Sequence, residues 1–162
     1  MRNLNEWFSE YAVSHQNETN QAIHYICVPA IFFSIIGFLM SIPAEFLKDL
    51  IPGNTPFLEN WAAFILIPVL VFYFRLSTEM GLKMTLFTGI CLIGNYFISL
   101  ISPLWLISLI IFAIAWMGQF YGHKIEGKKP SFLKDIQFLL IGPAWVIHKI
   151  FSNKGRKKID CR

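Results

Sequence analysis

The chain has 162 residues, 55% hydrophobic and only 15% charged, with a mean hydropathy of +0.52 and a formal net charge of +4. About a quarter of the residues of an ordinary soluble domain are charged, so this composition excludes a water-soluble globule and points to lipid as solvent. The length fits one compact unit. Cys27, Cys91 and Cys161 form no C-x-x-C pair, which supports neither a zinc knuckle nor a redox motif; the first two lie in apolar runs and read as small packing hydrophobes. Residues 1–10 lack a basic stretch leading into an apolar one, so no cleavable signal peptide is expected.

Leu4, Trp7, Phe8 and Tyr11 recur at spacings of three and four, which predicts a short amphipathic helix. A polar stretch follows, with Asn17 and Asn20 breaking that helix and Thr19 or Asn20 capping the next. Between Glu18 and Glu45 lie 26 uncharged residues, enough for a spanning helix, which needs about 20. Pro29 is tolerable there as a kink, and Pro43 ends the run. Pro52-Gly53-Asn54 and Pro56 mark a loop over 45–59. The uncharged run Asn60–Phe74 has 15 residues and spans only just; Arg75, Glu79 and Lys83 then form a charged connection. Met84–His123 holds 40 uncharged residues, two spans joined at Ser102-Pro103. Gly81, Gly89 and Gly94 would let helices approach closely. Ile136–Ile147, interrupted by Gly142-Pro143, is too short to span. The expected fold class is all-α: an integral membrane bundle of about four transmembrane helices plus a short interfacial or re-entrant C-terminal helix. It forms a single domain over 1–151, and 152–162 is a basic tail, disordered or bound to anionic headgroups.

Four spans put both termini on one side. The segments then outside, 43–58 and Ser102-Pro103, carry one of the fourteen Lys and Arg residues, Lys48. The positive-inside rule therefore places both termini in the cytoplasm of a bacterial-type inner membrane or endoplasmic reticulum. His15, His24, His123 and Glu126 all fall on that face, although 98 residues lie between His24 and His123. His15 and His24 are nine residues apart and would occupy opposite sides of one continuous helix. To share a ligand they need a turn between them, which Asn17 and Asn20 suit. His123 and Glu126, at i and i+3, face the same way. Three imidazoles and a carboxylate suit Fe(II) or Zn(II). Each residue also has a plainer role. His24 can bond a carbonyl at the membrane mouth, His15 can be a surface residue, and His123 can be an interfacial polar end. Glu126 can pair with Lys124 or Lys128, and Asn17 and Asn20 can be turn and cap residues or supports for the ligands. His148, beside Lys149, reads as headgroup-facing.

His15-Gln16-Asn17-x-x-Asn20-x-x-Ile23-His24 followed by Val28-Pro29, and then Gln119-Phe120-x-Gly122-His123-x-x-Glu126-x-x-x-Pro130, resemble the 2-hydroxy fatty acid dioxygenase family, whose founding fungal member acts in phytosphingosine breakdown. Gly142-Pro143 fits as well, and the resemblance covers residues 7 to 151. Gln16 stands where some members carry a second adjacent histidine, and the His123–Glu126 spacing is one residue shorter than in the fungal form. The resemblance implies a small multi-span membrane enzyme that uses Fe(II) and O2 to cleave a 2-hydroxy fatty acid between C1 and C2. His15, His24 and His123 match family histidines. Glu126 matches a family glutamate and is expected as a fourth ligand or as an orienter of the others. The substrate's carboxylate and 2-hydroxyl would meet the iron, its acyl tail would lie between helices, and Lys124, Lys128 or Lys129 would attract the carboxylate. The alternatives are a non-catalytic lipid-binding or scaffold membrane protein, a zinc-dependent membrane hydrolase and, more remotely, a di-histidine haem protein. The partners expected are the 2-hydroxy fatty acid, O2 and the lipid bilayer, with no nucleic acid.

Overall fold

A computed structural model describes residues 3–50, 59–128 and 137–156, without the side chains of 48–50, 137–138 and 152–156. The Pro52–Pro56 turn cluster, Lys129, Pro130, Cys161 and the end of the basic tail lie outside the described residues. Among these there are seven α-helices and no strand: α1 (Leu4–Ala12), α2 (Glu18–Ser41), α3 (Glu45–Leu50), α4 (Trp61–Leu76), α5 (Thr78–Ile101), α6 (Leu104–Glu126) and α7 (Gln137–Arg156). The amphipathic spacing in the first dozen residues is a helix, α1, with Trp7 and Tyr11 buried. Asn3 and Glu6 start it with a reciprocal capping box, each side chain taking the other's backbone N–H.

Three helices, α2, α5 and α6, are long and apolar enough to cross a membrane, with 24, 24 and 23 residues. The fourth expected span is the shorter α4, 16 residues with Pro68 inside it. The Asn60 side chain accepts the Ala63 N–H and fixes its start; extended Ser77 ends it. The charged connection over 75–83 is in fact mostly helix. α5 already begins at Thr78, and Glu79 pairs with Lys83 one turn on. An acidic residue in a first turn, four residues before a lysine, favours helix on both counts. Ser102 ends α5 and Leu104 begins α6, as the Ser-Pro pair predicts. The C-terminal helix is also longer than expected. Gly142-Pro143 does not interrupt α7, which runs 20 residues with Pro143 inside. Burial of Ile141 and of Ala144 to Ile147 supplies the packing that outweighs one missing helical hydrogen bond.

The chain divides into two compact units, one of residues 1–29 and 115–162, the other of residues 30–114. In the second, α4 packs on α5 over fully buried Tyr73, Met80 and Met84. A Cβ on Gly81 would lie 2.4 Å from the Phe74 ring, so glycine sets that approach. Asn95 Nδ2 donates to the carbonyls of Cys91 and Phe33 at 2.9 and 3.1 Å, tying α5 to α2. In the first unit α1 packs on α7, with Tyr11 beside Trp145, their ring centroids 5.4 Å apart. This unit holds all the candidate site residues.

Candidate metal centre

Helix α1 ends at Ala12, and the chain turns through Val13–Asn17 before α2 begins. The turn that the histidine spacing requires is present, slightly earlier than expected. It is completed by Asn17, whose Oδ1 accepts the N–H groups of Thr19 and Asn20 at 2.9 and 3.2 Å. Asn17, and neither Thr19 nor Asn20, caps α2, because both of its first free N–H groups lie within reach of that short side chain. Asn20 is inside the helix.

This turn brings together three imidazoles. His15 lies in the turn, His24 in the second turn of α2, and His123 in the last turn of α6. All three are buried, and each offers a donor atom within 4.8 Å of the others, a group that could hold a metal ion. His15 Nδ1 is 2.6 Å from the Tyr11 carbonyl and His24 Nδ1 is 2.8 Å from the Asn20 carbonyl. A carbonyl only accepts, so both Nδ1 atoms carry the proton. The two Nε2 atoms are then bare lone pairs, and they face each other 3.0 Å apart. Two acceptors at that distance repel unless a cation lies with them. A proton is a poor candidate: burial pulls the His15 pKa down from 6.5 to about 4, against the opposing Tyr11 carbonyl. A metal ion ligated by neutral imidazoles fits, and among the described residues the group contains no thiolate. The donor chemistry suits Fe(II) and Zn(II).

The surroundings fix the rings. Tyr11 stacks on His15 with centroids 4.1 Å apart at 12°, and Trp145 lies 5.8 Å from it. Gln21 Nε2 donates to the His15 carbonyl at 2.8 Å. The aromatic wall was only half legible. Tyr11 lies four residues before His15 on the apolar stripe of α1, whereas nothing local in the sequence assigns Trp145 to the site. A Cβ on Gly122 would lie 2.4 Å from Asn20 Oδ1, so glycine lets α6 approach α2 there.

Glu126 is not in the three-histidine group, and among the described residues its hydrogen-bond partners include no lysine. Its Oε1 accepts the Gln16 N–H at 2.8 Å; Oε2 accepts the Asn17 N–H at 2.8 Å and Asn20 Nδ2 at 3.1 Å. Lys128 Nζ donates to the Val13 carbonyl at 2.6 Å, and Lys124 is exposed. His148 packs against Phe8, centroids 5.2 Å apart, apart from the other three histidines.

No curated protein and no solved structure matches the chain. A protein-family model described as "2-hydroxy-palmitic acid dioxygenase Mpo1-like" matches residues 1–154. That match covers nearly the whole chain, including every residue of the three-histidine group and the turn that assembles it, and on this ground the chain belongs to the Mpo1-like family.

Proposed function

We propose that this protein is an Fe(II)- and O2-dependent dioxygenase that cleaves 2-hydroxy fatty acids between C1 and C2, shortening the chain by one carbon. The observation that carries the reading is the approach of the His15 and His24 Nε2 atoms to 3.0 Å, with His123 completing the group. The family description supplies the substrate class and the reaction type.

Bound Fe(II) would supply the activation of O2 and a Lewis-acidic anchor for the 2-hydroxy acid. The chain's own part is to hold and surround it. His15, His24 and His123 would hold it, a set of three protein donors of the kind that suits an oxygen-using non-haem iron site. The hydrogen bonds from Nδ1 to the Tyr11 and Asn20 carbonyls fix two of the rings and make them better donors. Tyr11 and Trp145 keep water from one side of His15. Lys124 and Lys128 give the acidic headgroup an attractive field on approach. The apolar helices offer the acyl tail a lipid-like path. Asn17 and Asn20 act through the turn, which they cap and brace.

The three-histidine donor set also suits zinc, so the test must separate the metals. Purified protein in detergent is freed of metal and then assayed with 2-hydroxypalmitate, with and without O2, after loading with Fe(II) or Zn(II). The expected result is a product one carbon shorter only with Fe(II) and O2 together. Zinc-supported turnover without O2 would make the protein a hydrolase. Metal-independent lipid binding without turnover would make it a binding module.

A further inference from the structure

We infer that Glu126 is a positioning residue that keeps the metal centre assembled, holding the His15-bearing turn against the end of α6 without itself ligating the metal. The inference rests on reading the three histidines as a metal centre. Both carboxylate oxygens are already engaged, by three donors at 2.8, 2.8 and 3.1 Å. Two of those donors are the backbone N–H groups of the residues directly after His15, at the open N-terminal end of α2. Joining a metal ion would pull the carboxylate off these donors and leave peptide N–H groups unpaired beside a helix start.

The placement of the charge favours the same role. An acidic residue in the last turn of α6 is wrong for that helix's own dipole. Its position makes sense against the N-terminus of α2, where a negative charge is favoured and bonds to an ionised acceptor are strong. The end of α6 grips the turn a second time. Gly127, at φ +70°, reverses the chain; its N–H bonds to the Lys124 carbonyl and that of Lys128 to the His123 carbonyl. This is a Schellman ending, for which glycine is the residue without a Cβ penalty. The reversal brings Lys128 Nζ to the Val13 carbonyl. The turn is therefore held on both sides of His15, through its N–H groups at 16 and 17 and its carbonyl at 13. His123 and Glu126 lie on one helical turn, so docking α6 against the turn and bringing the third imidazole to the other two are a single event.

The test is a Co(II) titration of the full-length protein in detergent, read by the visible absorption bands of the bound ion. E126Q and N20D, the latter setting a second carboxylate against Glu126, are each expected to bind Co(II) ten- to a hundredfold more weakly, the usual effect of removing an outer support of a metal ligand. The spectrum at saturation is expected to match wild type, because the ligands are unchanged. The double variant E126Q/N20D, which restores an amide–carboxylate contact in the reverse sense, is expected to recover part of the loss. Wild-type affinity in E126Q would overturn the role of Glu126 and leave the metal centre standing. An altered spectrum at saturation would make Glu126 a ligand and overturn it equally. A wild-type protein that takes up no Co(II) would overturn the metal centre and the inference with it. Should E126Q lose its helical circular dichroism, N20D, which keeps Glu126, decides by the same two readouts.

Discussion

Single atoms decide the chemistry here, and the decisive ones are ring nitrogens. His15 and His24 each spend Nδ1 on the carbonyl four residues earlier, which commits Nε2 to whatever lies between the rings. His24→Ala removes one of these donors, and metal content after reconstitution is expected to fall from one ion per chain to near zero. His148→Ala, which alters a ring lying against Phe8, is expected to leave metal content unchanged; equal losses in both would mean that the effect is on folding. Gly122 is the residue that sets the distance between the two walls of the site. Gly122→Ala would put a methyl 2.4 Å from Asn20 Oδ1 and 3.4 Å from its Cγ. Asn20 is fully buried, with its Nδ2 held by Glu126, so the side chain has little room to swing away. The expected cost is about 1–3 kcal/mol, the usual range for overpacking, seen as a lower melting temperature together with weaker metal binding.

At the scale of elements, the turn at Val13–Asn17 matters most, because it alone brings His15 to His24. Asn17→Ala removes the cap of α2, a loss of about 1 kcal/mol, and is expected to lower the melting temperature of the metal-free protein by a few degrees; an unchanged melting curve would show that Glu126 and the backbone hold the helix start without the cap. That a turn lies here was legible, since nine residues between two histidines forbid one straight helix. Which asparagine caps was not, because 17 and 20 are both good cap residues and only the chain's path chooses between them. The long helices were legible from runs without charge, and α1 from four apolar residues on one stripe. The start of α5 was not, because Glu79 and Lys83 look like a polar loop until they are seen as a helical pair. α7 was misread for the opposite reason, as Gly142-Pro143 is a local stop that burial of its neighbours overrides. The partners of Glu126 lie at least 106 residues away in sequence, beyond anything spacing can reveal, and the charged neighbours at 124 and 128 suggested a false pairing.

For the whole molecule the open quantity is the number of membrane crossings, and the site itself constrains it. Three helices are long enough to cross. α4 has 16 residues, about 24 Å at 1.5 Å per residue, against a hydrocarbon thickness of about 30 Å. Charge alone does not choose between three crossings and four. Three crossings with the N-terminus outside would leave only Arg2 outside. Four with the N-terminus inside would leave only Lys48. The hydrogen bonds from Gln16 and Asn17 to Glu126 favour an even number. They bring the start of α2 and the end of α6 together, which in a bilayer would set both at one surface and make the number of crossings between them even. If α2, α5 and α6 cross, α4 must cross as well, with the bilayer thinning or its flanks stretching at a modest cost per ångström. With four crossings, thirteen of fourteen basic residues would lie on the side of the termini, the side that the positive-inside rule expects in the cytoplasm, and the three histidines would lie at that surface. In intact cells carrying a chain with its native cysteines replaced, a membrane-impermeant thiol reagent is expected to label Glu45→Cys, an exposed position before α4, and to leave Ser77→Cys untouched until the membrane is opened. The same accessibility at both positions, whether both labelled or both protected, would mean that α4 does not cross.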